Sequence, residues 1–159
     1  MILRYSKTAA FSLAEVTIAL SVAVFTLIAI SGLLPIGLDS TRDAINQTAA
    51  NNMISAIISD LRATAPAATS SDQFGIAIPT DPTNPAALSR ASTTLFFNAV
   101  GSAVTDSNLD SRYRLEINFL RVDHAQAPLQ AVLQVSWPAA ATSEDAQGAV
   151  KVFCAFDRY

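Results

Sequence analysis

One carboxylate in this sequence is placed where a charge is costly. Glu15 stands at the head of a run, Val16 to Leu38, that contains no charged residue. An acid at the edge of such a run needs a cationic partner or a place at a polar boundary, and an acid within a membrane span is by default functional. Other groups that could do chemistry are few. Cys154 is the only cysteine, so an intramolecular disulfide is excluded. Its alternation with Val152 and Phe156 predicts a buried, apolar thiol rather than a reactive one. His124 is the only histidine and has no second His or neighbouring Cys with which to hold a metal. Asp106, Asp110 and Asp123 are loosely spaced acids. Calcium takes about six to eight oxygens, often from closely spaced carboxylates, and their D-x-x-x-D order lacks such a cage, so no metal site is expected. No Ser/His/Asp arrangement for nucleophilic catalysis is legible. The expectation is a protein that is not an enzyme and carries no cofactor.

The elements that would position Glu15 are readable from periodicity. Val16 to Leu34 has Thr17, Ser21, Thr26 and Ser31 as its only polar residues. A membrane span needs about 20 apolar residues, and in lipid such a run must be helical because each backbone group has to bond internally. Ser and Thr can bond back to the preceding turn and do not spoil the pattern. Gly32, Pro35 and Gly37 fall at its lower end. Proline removes one helical hydrogen bond and kinks the axis; a kink rather than a stop is expected, because helical spacing resumes at once. Ile45, Ala49, Met53, Ala56, Ile57 and Leu61 lie on one stripe, with Asp39, Arg42, Asp43, Asn46, Asn51 and Asp60 on other faces. Pro66 ends the pattern. Phe11 to Thr64 would be one helix about 80 Å long, apolar all round in its first half and amphipathic in its second.

Residues 65–92 are rich in Ala, Pro, Ser and Thr and read as loop, with one short strand at Phe74 to Ile78. Beyond them the period is two. Tyr113, Leu115, Ile117 and Phe119 alternate with polar residues, as do Ala131, Leu133, Val135 and Trp137, and then Val150, Val152, Cys154 and Phe156. Thr94 to Asn98, before a turn near Gly101, is a fourth run. Four strands with one apolar face each predict an antiparallel sheet, and the stripe Ile45–Leu61 is its natural partner. Trp137 is expected in the core, His124 in a solvated turn, and 139–149 as a mobile loop. The fold class is α+β: a helix over about 11–64, kinked near Pro35, whose C-terminal half packs on about four antiparallel strands.

Composition agrees. Apolar residues are 51% and charged residues 14%, low against about 25% charged in soluble domains, and the deficit sits in the N-terminal run. The formal net charge is −3; without Arg4 and Lys7 the chain has 8 basic against 13 acidic residues, or −5. No basic cluster offers a footprint for nucleic acid.

The stretch Ala9-Ala10-Phe11-Ser12-Leu13-Ala14-Glu15-Val16 resembles the signal sequence of type IV prepilins and pseudopilins. In that family a short basic leader ends in a small residue, Phe begins the mature chain, and Glu is fifth. Phe11 and Glu15 match those positions, and Ala10 stands where Gly is usual. The resemblance implies cleavage between Ala10 and Phe11 by a prepilin peptidase, N-methylation of Phe11, and a role for Glu15 in neutralising an N-terminal amine during filament assembly. The run from Phe11 to Gln47 is similar to minor pilins called type IV pilus modification protein V and to I-type minor pseudopilins of type II secretion. Leu34-Pro35-Ile36-Gly37-Leu38 and Leu133-Gln134-Val135-Ser136-Trp137-Pro138 resemble the prepilin-type group named Verru_Chthon cassette protein B.

These implications define five regions: a leader at 1–10, a transmembrane and assembly helix at 11–38, an amphipathic helix at 39–65, a loop region at 66–92 and a sheet domain at 93–159. Arg4 and Lys7 would stay on the cytoplasmic side, with the domain from about Asp39 in the periplasm and then in a filament. The implied partners are the peptidase, other pilin or pseudopilin subunits, an inner-membrane assembly platform and the lipid bilayer. Three other readings stand beside this one. Ala29-Ile30-Ser31 could end an ordinary signal peptide and release a soluble domain. The run could be an uncleaved anchor for a periplasmic binding module. Glu15 could be an interfacial residue at the headgroups, which is compatible with the assembly role.

Overall fold

The computed structural model describes residues 12–105, 110–124 and 127–157. Arg4, Lys7, the Ala10–Phe11 bond and Asp106 lie outside the described residues. The chain forms two compact units, Met1–Arg42 and Asp43–Tyr159.

The first helix, α1, spans Leu13–Ala63 and carries Pro35 inside it. Helical structure therefore continues through the proline, as its periodicity predicts. Pro35 has no N–H, so the Ser31 carbonyl lacks its usual donor four residues on. Thr17, Ser21, Thr26 and Thr41 return their hydroxyls to carbonyls three or four residues back, at 2.8–2.9 Å, which satisfies these polar groups within the helix itself.

In the second unit α1 buries Asn46, Ala50, Met53, Ile54, Ile57, Asp60 and Leu61. Met53, Ile57 and Leu61 of the expected stripe are on this face, but the stripe's other members are not. Ile45 is 59% exposed, Ala56 is exposed and Ala49 is half-buried. The buried face is displaced to take in two polar residues that the apolar pattern assigned to solvent. Both have partners waiting. The Asn46 Oδ1 accepts from the Tyr113 hydroxyl at 3.0 Å and from Arg112 Nη2 at 3.1 Å. The Asp60 carboxylate accepts from the backbone N–H groups of Gln73 and Phe74 at 3.0 and 3.1 Å. Satisfied polar groups can be buried at little net cost, and hydropathy spacing does not register that.

The sheet has five antiparallel strands, not four. They are β1 (Thr93–Asn98), β2 (Ala103–Val104), β3 (Ser111–Leu120), β4 (Leu129–Trp137) and β5 (Gly148–Phe156), in spatial order β2-β1-β3-β4-β5. β2 is too short to show a period of two, which hides it in the sequence. It closes a hairpin at Gly101, whose φ of 85° suits glycine; the Asn98 side chain accepts from Val100 and Ser102 amides there. The long strands follow their alternation. Tyr113, Leu115, Ile117 and Phe119 are buried, with Leu133, Val135 and Trp137 opposite and Ala50, Met53, Ile54, Ile57 and Leu61 supplied by α1. Each large aliphatic side chain so buried contributes roughly 1.5–3 kcal/mol.

Phe74 to Ile78 is not a strand; only an isolated bridge, Ser70 to Ala77, forms there. Within the Pro-rich connection a second helix, α2, spans Pro85–Ala91. Asn84 caps it by accepting from the Ala86 amide at 3.0 Å, and Pro85 occupies a first-turn position, where a missing N–H costs nothing. The segment expected to be a mobile loop at 139–149 is tied down. The Ala139 amide donates to the Arg112 carbonyl, Gln147 to that of Trp137, and the Ser143 hydroxyl to Glu116 at 3.0 Å.

Candidate functional site

The apolar part of α1 is the feature of this chain with the most to explain. Leu13, Phe25 and Ile36 are 85%, 75% and 67% exposed, and the residues between them are exposed too. By length and composition this helix can cross a membrane, which is compatible with a single-pass anchor near the N-terminus. So large an apolar surface is unfavourable in water and is stabilised when lipid or other apolar surface covers it.

Glu15 occupies the first turn of α1 and is exposed. Its backbone N–H donates to the Ser12 hydroxyl at 3.2 Å and to the Ser12 carbonyl at 3.1 Å, and Val16 donates to the same carbonyl at 3.2 Å. Ser12 is thus the N-cap, and Ser12-Leu13-Ala14-Glu15 has the S-x-x-E spacing of a capping box. Ser12 is not among the residues singled out from the sequence, although that spacing announces it. The carboxylate also sits at the positive end of the helix dipole, where an anion is favoured. Glu15 therefore has a local structural reason to be acidic, independent of any partner.

Gly32 and Gly37 lie within the helix with open space where a Cβ would stand. Neither makes a close approach in the isolated chain. With Pro35 they weaken the helix through backbone freedom and one missing bond.

Elsewhere among the described residues few side chains are placed for chemistry. Asp110, Asp123 and His124 are exposed, and among the described residues no three metal-ligating side chains converge. A cleft of about 600 Å³ is lined by Pro66, Ile78, Pro79, Asp81, Pro82 and Leu129. Its one acid is already committed. Asp81 accepts from the Thr83 hydroxyl at 2.7 Å and the Thr83 amide at 3.0 Å, and these bonds hold its carboxyl below the usual range. Cys154 is buried, with its thiol directed at the Ala131 carbonyl; burial pushes the thiol up to about 11, against a small opposing effect of Arg62. Arg114 Nε lies 2.9 Å from Glu116 Oε1, and Ser143 bonds the other oxygen of that carboxylate, a structural set that anchors the β4–β5 connection. A comparison with family models, one with curated proteins and one with solved structures each return no match.

Proposed function

We propose that this chain is a pilin-like subunit, a minor pilin or pseudopilin of a type IV pilus-like or type II secretion-like filament. The observation that carries the reading is the division of labour along α1. Leu13 to Leu38 is exposed and apolar all round, whereas Asn46 to Leu61 is the packed wall of an α+β domain. A soluble domain has no use for the first part, and a plain anchor does not need its helix to run on as a core element. The N-terminal match at Phe11 and Glu15 supports the same reading.

On this reading the chain rests first in the cytoplasmic membrane. Cleavage between Ala10 and Phe11 creates a new α-amine, which the peptidase methylates. Assembly exchanges lipid contacts for helix–helix contacts, and Glu15 of one subunit neutralises the amine of Phe11 on a neighbour. The charge pair removes the cost of carrying two unpaired ions into a filament core. Gly32, Pro35 and Gly37 supply a stretch that bends or melts during transfer from bilayer to filament.

Intact mass and N-terminal sequencing of the protein from cells with a prepilin peptidase test this directly. The expected mature chain begins at N-methylated Phe11. A start at Gly32 would replace the reading with secretion, and an unprocessed Met1 would replace it with an anchored periplasmic module.

A further inference from the structure

The sheet ends on a long, unprotected strand. Among the described residues β5 pairs with β4 alone, so its outward backbone N–H and C=O groups meet no described strand. The opposite edge is blunted: β2 has two residues, and the register shifts between Phe97 and Asn98. β5 has nine residues, no proline and an unbroken register. Its inward residues Val150 and Val152 are only half-buried, and Phe153 on the other face is 59% exposed. An apolar edge of this length is a template for another strand.

We propose that β5 is a dimerisation edge that pairs antiparallel with β5 of a second copy, about a two-fold axis at Cys154. The charges on the strand select both partner and register. Lys151 and Asp157 follow the alternation set by Lys151, Phe153 and Ala155, all exposed. In a pair centred on Cys154, Lys151 lies opposite the partner's Asp157, and the symmetry makes this contact twice. Phe153 then covers the partner's Ala155, and Val152 meets the partner's Phe156, so the half-buried inner face is extended by apolar neighbours. Centred on Val152, Lys151 would face the partner's Phe153 and no charge would pair. In a parallel, in-register pair, Lys151 would face the partner's Lys151, which is repulsive. This proposal uses only the sheet and does not depend on the fate of the apolar helix.

The test is the association state of the full chain in detergent, by sedimentation over a concentration series at low salt. A reversible dimer is expected. Lys151→Asp and Asp157→Lys should each weaken it by at least about fivefold, since opposite-charge pairs become like-charge pairs, and the double exchange should restore it. Far-UV circular dichroism confirms that each variant is folded. In a Cys154→Ala background, mixing Lys151→Cys chains with Asp157→Cys chains should give a disulfide-linked heterodimer, and neither alone should cross-link. A monomer at every concentration overturns the proposal. So does a dimer indifferent to both charge reversals, which would assign association to the apolar helix, or cross-linking of Lys151→Cys alone, which would assign another register.

Discussion

The indole of Trp137 fills the space where a side chain on Gly148 would stand. The two residues are cross-strand partners, and a Cβ at Gly148 would come within 2.6 Å of the indole Cε2 and 2.9 Å of Nε1. The glycine exposes backbone on a buried sheet face, and the ring covers it. The ring is held in turn by an edge contact with Tyr113, with centroids 6.3 Å apart.

Gly148→Ala should therefore displace the ring and cost about 1–3 kcal/mol, the usual range for overpacking. Chemical unfolding followed by fluorescence of the single tryptophan measures it, with an emission shift expected in the folded state. Trp137→Phe should relieve most of the added cost in the double variant, followed by circular dichroism. Equal stability of Gly148→Ala and the parent would contradict the contact.

Asn46 is one oxygen serving two donors from β3. Asn46→Leu should leave the buried Tyr113 hydroxyl without an acceptor and cost about 1–3 kcal/mol. Tyr113→Phe removes a donor but leaves Asn46 bonded to Arg112, so its loss should be smaller, about 0.5–1.5 kcal/mol. A larger loss for Tyr113→Phe in thermal unfolding would reverse the assignment of which group depends on which.

Ser12 and Glu15 separate capping from charge pairing. Ser12→Ala should weaken the start of the helix by about 1 kcal/mol and leave filament incorporation intact. Glu15→Gln keeps a side chain suited to the box, and Glu15→Ala removes it; both should leave cleavage largely unchanged and impair incorporation. The comparison is made in cells lacking the native copy, by recovery of the subunit in sheared filaments. Normal incorporation of both Glu15 variants would reduce Glu15 to a capping residue.

Cys154 gives a pH signature. Its thiol is raised from an ordinary 9.0 to about 11 in the folded chain, so the folded state holds its proton more tightly than the unfolded state. The associated stability is complete below about pH 9 and is lost as pH rises toward about 11. Thiol-labelling should be slow at pH 8 and accelerate on unfolding. Cys154→Ala should flatten the fall in stability over that alkaline window.

Much of this fold is legible in the residues because its signals are local. The unbroken apolar run, the period of two in β3, β4 and β5, and the continuation through Pro35 each follow from neighbouring side chains. What escaped depends on distant partners or on very short spans. β2 has two residues, too few for a period. α2 is seven residues long and is marked by Asn84 and Pro85 inside a stretch whose proline content reads as loop. The buried face of α1 was displaced because Asn46 and Asp60 are polar by type and buried by virtue of Tyr113, Arg112 and the 73–74 amides, which lie elsewhere in sequence. At the candidate site, the position of Glu15 is legible from charge alone, whereas its cap lies in the S-x-x-E spacing that begins at Ser12.

Those two buried polar residues also act as an index mark. Positions 46 and 60 are separated by close to four turns of about 3.6 residues, so their side chains emerge on one side of the rod. The apolar residues alone would permit a neighbouring seating, with Ile45 and Ala49 turned inward. Rotating the rod by one residue, about 100°, would carry both oxygen-bearing groups away from their donors and leave the buried Tyr113 hydroxyl without its acceptor. The angle at which this helix meets its sheet is thus fixed by two hydrogen-bonded notches, while the surrounding hydrocarbon supplies adhesion without direction.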